Sequence, residues 1–434
     1  MRLNVLTIPD VVRRDLCCGC GACAAVDPSI EMVDDAANGL RPRVTGPGVG
    51  REAVAVCPGV GLAHEDAARR APGVIASLYP AFGPVVGLWE GWSGDEDIRF
   101  CGSSGGAATA LALHCLTDEG MSGVLHTGAR EDRPYLNETV WSSTREELLA
   151  RTGSRYAPAS PCDGLGRIES APTPGVFIGK PCDVAAAQKA RRLRPALDRK
   201  LGVTIAFFCA GTPSTNGTLE MLRRLGIDDP EALTSLRYRG RGWPGLARAV
   251  WRGPDGAERT GTLTYDQAWG EVLTAHQQWR CKVCADHTGE FADIAVGDPW
   301  HRKVEPGEAG SSLILARTPH GRAIIERAIE SGALVAERVG AEILPASQPN
   351  LVATRGSVWG RIVGSRLSLA SAPTYRNMPM FSLWRSELSL REKTRSILGT
   401  MRRVWKRRLA RSAATQPGPA ASAPIARPAV REAS

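Results

Sequence analysis

Cys17-Cys18-Gly19-Cys20-Gly21-Ala22-Cys23 places four thiols in seven residues, and a fifth follows at Cys57-Pro58. A hydrophobic core has no use for that density. Cys17, Cys20 and Cys23 keep the C-x2-C-x2-C spacing with which one loop wraps soft thiolate donors around an iron-sulfur cluster, and glycines let the backbone double back. In bacterial ferredoxin motifs the closing Cys-Pro follows after three residues; here 33 residues separate Cys23 from Cys57, and Cys18 is left over. The other chemistry open to four thiolates is a zinc knuckle, which ordinarily pairs two C-x2-C clips. The stretch divides the chain. Residues 1–80 read as a small cysteine-bearing module in which the turn signals Asn38-Gly39 and Pro47-Gly48 frame a hairpin, and residues 85–92 read as a strand entering a larger domain.

A chain of 434 residues has room for more than one domain. Its twelve cysteines would suit a secreted disulfide scaffold, but MRLNVLTIPDVVRRDLCC shows neither an apolar signal core nor a cleavage site. The expectation is therefore a cytoplasmic protein. The longest apolar run, residues 107–113, falls far short of the roughly 18 residues that span a bilayer. From Arg385 onward there are 12 basic and 3 acidic residues, which accounts for the whole net charge of +9. The body is neutral, so a nucleic-acid partner is not expected.

Beyond the first module the pattern alternates between strand and helix. Cys101-Gly102-Ser103-Ser104-Gly105-Gly106 runs into an Ala/Leu-rich helix over 107–116. Such a turn at a helix N-terminus suits a flavin or nucleotide pyrophosphate, although a plain turn and cap has the same look. Two buried strands, 174–179 and 201–208, stop at Lys180-Pro181-Cys182-Asp183 and at Cys209, each just before a helix, where open α/β sheets put functional groups. Arg237 to Gly245 combines three arginines with Trp243; Arg239 and Trp243 suit an anionic, planar ligand, and an exposed basic loop is the bland reading. Gly253-Pro254-Asp255-Gly256 marks a hairpin. A second clip, Cys281 and Cys284, precedes a strand over 292–296 and Asp298. Together with Cys182 and Cys209 it would supply four more thiolates.

Taken together, CCGCGAC with its later CP, GSSGGAATAL, GKPCDVAA, FFCAGTPS, YRGRGWPG and RCKVC followed by ADIAVGD resemble the family of coenzyme F420 hydrogenase/dehydrogenase beta subunits, which includes the plant 7-hydroxymethyl chlorophyll a reductases. The motifs cover some two-thirds of the chain. The resemblance implies an oxidoreductase with FAD and one or two 4Fe-4S clusters, passing electrons to or from an organic substrate that exchanges hydride, coenzyme F420 among them, with a redox partner protein or ferredoxin. It carries Cys17, Cys20, Cys23 and Cys57 to a first cluster and Cys182, Cys209, Cys281 and Cys284 to a second. It carries Gly102, Ser103, Ser104, Gly105, Gly106 and Thr109 to the flavin. It leaves open a non-catalytic electron-transfer or assembly subunit, of the kind tied to cell-surface polysaccharide synthesis. Asp183, Asp298 and His287 read as structural rather than as proton donors.

The expected fold is mixed α/β: an iron-sulfur module (1–80) packed on a mixed-sheet flavin-binding domain (81–345), then a helical extension (346–411). Within the extension Leu390, Ile397, Met401, Val404 and Trp405 fall at near-helical spacing among ten basic residues of 385–411. That reads as a basic amphipathic helix able to lie on the inner face of a membrane or against a partner. Residues 412–434, rich in Ala, Pro and Ser, read as disordered.

Overall fold

The computed structural model describes residues 7–46, 50–303 and 307–410; the Pro47-Gly48 turn and the segment 412–434 lie outside them. In the N-terminal part, β1 (Ile30–Asp35) and β2 (Gly39–Val44) form an antiparallel hairpin closed at Asn38-Gly39, with Gly39 at φ +81°. A short strand β3 (Gly61–Ala63) follows Cys57.

Eight further strands build one large mixed sheet: β4 (Gly87–Ser93), β5 (Val124–Ala129), β6 (Asn137–Ser142), β7 (Gly175–Gly179), β8 (Leu201–Phe207), then, past a separate three-stranded antiparallel sheet of β9 (Leu233–Arg237), β10 (Ala247–Arg252) and β11 (Glu258–Leu263), β12 (Ile294–Gly297), β13 (Ser312–Ala316) and β14 (Leu334–Arg338). The spatial order is β14-β4-β13-β12-β8-β7-β5-β6. The middle four, β12, β8, β7 and β5, run parallel, and antiparallel strands close both sides. This arrangement follows from composition: strands covered on both faces must be apolar throughout, and Val176, Phe177, Val203, Ile205, Ile294 and Ala295 are all fully buried. Because these four strands are parallel, their carboxyl ends meet along one edge. There the chain leaves β7 into Lys180 and Cys182, β8 into Cys209, and β12 into Asp298.

The last part of the chain does not stand apart. β15 (Thr374–Arg376) pairs in parallel with β3, more than 300 residues earlier. The Pro349–Leu367 helix, which sequence periodicity left unread, crosses the back of the second cysteine clip. The terminal helix, Leu390–Lys406, opens with a Ser389/Glu392 capping box and packs on Pro349–Leu367, where Gly360 and Gly364 let Ser396 and Thr400 come close. Here the expected amphipathic helix needs correction. Val404 is buried and Ile397 and Met401 half-buried, whereas Leu390 and Trp405 are 81 % and 82 % exposed, so the apolar residues divide between two faces.

Candidate functional site

A cavity of about 330 Å³ opens at the carboxyl edge of the parallel strands, within the size range of small-molecule sites. One wall is the turn Gly102 to Gly106. Gly106 sits at φ +73°, and a Cβ there would lie 2.6 Å from the Ile98 carbonyl, so only glycine lets the chain enter the Ala107–Thr117 helix at this angle. The turn is tied from outside: Ser104 Oγ meets Ser312 Oγ at 2.8 Å, the Gly105 amide donates to Ser312 Oγ at 2.9 Å, and Ser103 Oγ accepts from the Ser154 amide at 2.7 Å. Thr109, one turn into the helix, also lines the cavity. The first amides of an eleven-residue helix therefore face a space bounded by polar groups, where the helix dipole favours an anion.

A second part of the lining holds Arg239, Tyr265, Asp298 and Trp300. Sequence reasoning expected Arg239 and Trp243 to hold an anionic ligand. The guanidinium is instead engaged, with Nη1 and Nη2 on the two oxygens of Asp298 at 2.9 and 2.8 Å and Nε on the Pro244 carbonyl at 2.9 Å. Trp243 stands one layer back. Its indole N–H donates to Asp298 Oδ1 at 2.8 Å and its ring stacks on Trp300, centroids 5.2 Å apart. Asp298 thus organises this wall and Trp300 fronts it. Sequence gave one signal for both, a Gly-Asp-Pro-Trp run at the end of a strand. Lys180 and Asp183 also line the cavity, with Lys180 Nζ 2.7 Å from Asp183 Oδ2. Burial raises the Asp183 carboxyl to about 6 even with Lys180 opposing it. Asp183 also accepts the Lys180 amide at 3.0 Å, and His287 Nδ1 meets the Cys209 carbonyl at 2.9 Å.

All twelve cysteines are free thiols, and nine of them gather into two neighbouring groups. Cys17, Cys18, Cys20, Cys23 and Cys57 surround a small apolar hole with Ile8, Val11, Met32 and Pro42, so the long interval between Cys23 and Cys57 is closed by the fold. Gly19 and Gly21, at φ +73° and +87°, give the loop its two reversals. The larger domain clasps it: Ser160 Oγ donates to the Gly19 carbonyl at 2.7 Å and the Cys162 amide to the Cys20 carbonyl at 3.0 Å. In the second group Cys209 neighbours Cys281 and Cys284, and Cys281 Sγ accepts the Thr212 amide at 3.3 Å. Cys182, expected with these three, has its thiol against Cys18, which also touches Cys20.

Burial pushes Cys57 and Cys209 up to about 12 and Cys284 to about 11, because a thiolate in a dry interior lacks solvation. Such thiols bind as anions only when a cation replaces their protons. Among the described residues no three His, Cys, Asp or Glu side chains converge tightly enough for a single metal ion. A zinc knuckle, with four sulfurs at ~2.3 Å from one centre, is not preformed. Several soft donors around a small hole, with the buried cation Arg280 next to them, have the donor chemistry of an anionic iron-sulfur group.

A ligand cavity at the carboxyl edge of parallel strands, with thiol groups near it, places the chain among mixed α/β proteins that carry their sites at such an edge. Residues 88–165 match the N-terminal model, and residues 175–342 the C-terminal model, of the coenzyme F420 hydrogenase/dehydrogenase beta subunit. The chain belongs to this family. It is 26 % identical over 271 residues to the coenzyme F420 hydrogenase subunit beta of Methanosarcina barkeri, covering 58 % of this chain and 82 % of that one. The corresponding subunit of Methanothermobacter thermautotrophicus is 23 % identical over 251 residues, covering 55 % and 80 %. A chain of the xenon-derivatised F420-reducing [NiFe] hydrogenase complex from Methanosarcina barkeri shares the fold, with a TM-score of 0.51 at 21 % identity over 65 % of this chain and 94 % of that one. Among the described residues no helix is long and apolar enough to cross a membrane.

Proposed function

We propose that this chain is the flavin-binding redox subunit of an oxidoreductase, carrying FAD and one or two 4Fe-4S clusters and exchanging hydride with an organic substrate such as coenzyme F420, the compound named in its relatives. One observation carries the reading. Cys209 forms part of the cavity wall and neighbours Cys281 and Cys284, so a thiol-held centre and a ligand in the cavity lie side by side. FAD accepts one or two electrons and a cluster moves one at a time, so the pair converts between single-electron donors and hydride chemistry.

The residues have separate tasks in this reading. The amides of Ser103, Ser104 and Gly106 and the following helix N-terminus bind the diphosphate of the flavin, those of Gly102 and Gly105 being engaged by the Ile98 carbonyl and Ser312. Ser103, Ser104 and Ser312 hold the turn in shape. Asp298, neutralised by Arg239, holds Trp300 as a flat wall that excludes water. Cys17, Cys20, Cys23 and Cys57 hold one cluster, and Cys209, Cys281 and Cys284, with Cys182, hold the other. The cysteine module over 1–80, the catalytic domain over 81–345 and the extension over 346–411 divide the labour accordingly, and a redox protein such as a ferredoxin supplies or removes electrons.

The terminal helix adds contact with an anionic membrane surface. At 3.6 residues per turn, Leu390, Leu398 and Trp405, which are 81 %, 58 % and 82 % exposed, share one sector of this helix. Exposed Arg391, Arg395, Arg402 and Lys406 form the adjacent sector, and Ser396, Thr400 and Val404 face the protein. Three apolar side chains are far too few for a standard protein interface of about 800 Å² per partner. They suit shallow insertion beside anionic headgroups.

Anaerobic purification with iron, sulfide, zinc and flavin quantitation tests the reading; stoichiometric zinc without iron or flavin refutes it. Stopped-flow bleaching of the bound flavin by reduced coenzyme F420 then tests the substrate.

A further inference from the structure

Arg280 precedes the Cys281 and Cys284 clip, and its side chain is 2 % exposed. One donor is used: Nη2 reaches the Pro58 carbonyl at 3.0 Å, beside Cys57. Nε and Nη1 have no acceptor among the described residues. The Tyr375 phenol gives its proton to the Val283 carbonyl at 2.7 Å, and its oxygen lies next to the guanidinium as a neutral acceptor that leaves the charge unopposed. The other groups close enough to feel the charge are thiols, Cys17 and Cys18 from the first group, Cys284 from the second and Cys182 between them, and one further cation, Lys189, whose Nζ is already on the Cys57 carbonyl at 3.1 Å. The nearby carboxylates are occupied. Asp286 accepts the amides of residues 288 to 290, and Glu290 is held by Arg355 and His64.

A guanidinium out of water needs an anion and acceptors for its donors. Neutral thiols do not provide them, because a thiol carries no charge and its sulfur is only a weak acceptor. A cluster bound to these thiols does, because it is anionic and carries sulfur acceptors. Cys18 offers the rival account. Its thiol lies against those of Cys182 and Cys20, and as a thiolate it would pair with Arg280 directly.

Resting on the iron-sulfur reading above, we propose that Arg280 is a positioning residue shared by the two thiol groups. Its fixed charge lies between the centres they hold, its open Nε–H and Nη1–H donate to them, and it raises their reduction potentials. Reduction adds an electron to a buried anionic centre, and a neighbouring cation in a low-dielectric interior favours the reduced state.

The test compares full-length wild type, R280Q and R280K, purified anaerobically, by iron and sulfide content and by EPR-monitored reductive titration. Iron in the wild type tests the reading beneath; its absence refutes that reading, whereas the variants test Arg280. R280Q is expected to move at least one midpoint downward by tenfold or more in the reduction equilibrium, ~59 mV for one electron. R280K, which keeps the charge, stays near wild type. If R280Q loses iron while R280K retains it, the charge is needed for loading and the proposal stands. Unchanged midpoints in an iron-loaded R280Q overturn it in favour of the Cys18 pair. Equal shifts in R280K and R280Q, or equal loss of iron from both at unchanged circular dichroism, overturn it in favour of a packing role.

Discussion

Replacing Arg355 by Met removes the cation that faces Glu290 inside the protein. The two side chains are 2 % and 0 % exposed; Arg355 Nη1 donates to Glu290 Oε1 and to the Ala285 carbonyl at 3.3 Å, and His64 Nε2 meets Glu290 Oε2 at 2.8 Å. Burial alone would raise the Glu290 carboxyl. The Arg355 charge and the His64 hydrogen bond outweigh burial and bring it to about 2, against 4.5 for an ordinary glutamate. At ~1.36 kcal/mol per pH unit, the depressed carboxyl contributes about 3 kcal/mol of stability, fully present above pH 4.5 and lost as the pH falls toward 2. In R355M the carboxylate stays buried with His64 and the more distant charge of Arg317, without its direct cation, so its pKa rises and acid now relieves it by protonation. The expected loss is about 3–5 kcal/mol at pH 7, and it shrinks at pH 4. Urea unfolding at both pH values measures this from midpoint and slope. A loss below ~1 kcal/mol at pH 7, or an equal loss at both pH values, refutes the electrostatic account. Adding E290Q to R355M should restore part of the stability, because the uncompensated charge is gone.

Three further outcomes follow from the geometry. C57S and C209S are each expected to lower iron and sulfide by about half relative to wild type, since their thiols sit in different groups; a parallel loss of all iron in both would mean one shared centre. G106A forces a Cβ to within 2.6 Å of the Ile98 carbonyl at φ +73°, a strain of about 1–2 kcal/mol. Flavin content should drop at least tenfold with circular dichroism unchanged, and normal flavin content would exclude this turn as the diphosphate site. The triple variant L390A/L398A/W405A and the pair R391E/R395E should each abolish sedimentation with phosphatidylserine liposomes while leaving flavin and iron alone. Binding that survives both substitutions, or is insensitive to salt, rules out the exposed face of the terminal helix as the lipid contact.

Much of the central sheet was legible because a strand buried on both faces writes itself as an unbroken apolar run. Residues 174–179 and 201–208 end where β7 and β8 end, and the chain then delivers Lys180 and Cys209 to the cavity. The Gly/Ser turn was equally plain. What sequence could not carry was partner choice. Arg239 looked available to a ligand because nothing in its own neighbourhood announces Asp298, 59 residues later. Arg280 read as part of a clip, and only the fold removes its water and its counter-ion. The Pro349–Leu367 helix was hard to see for a different reason: one buried stripe is Gly356, Gly360 and Gly364, small residues that allow close approach to other helices, and the other buries only the apolar pair Val358 and Ile362 beside Arg355, so the apolar periodicity is thin. The terminal helix was legible as a helix but not in its facing, since the protein covers Val404 and leaves Trp405 to solvent.

The pairing of β3 with β15 has a consequence for biosynthesis. Cys57 leaves the ribosome 318 residues before Tyr375, an interval of about 16–64 s at 5–20 residues per second. Until then β3 lacks its neighbour, and the second clip lacks the Arg355, Arg361 and Tyr375 side chains that bind the carbonyls of Ala285, Lys282 and Val283. For that interval the early thiols are displayed on an unfinished wall, accessible to oxidants and to cluster-delivery proteins alike. Sealing of these sites is thus a late event in the life of the nascent chain.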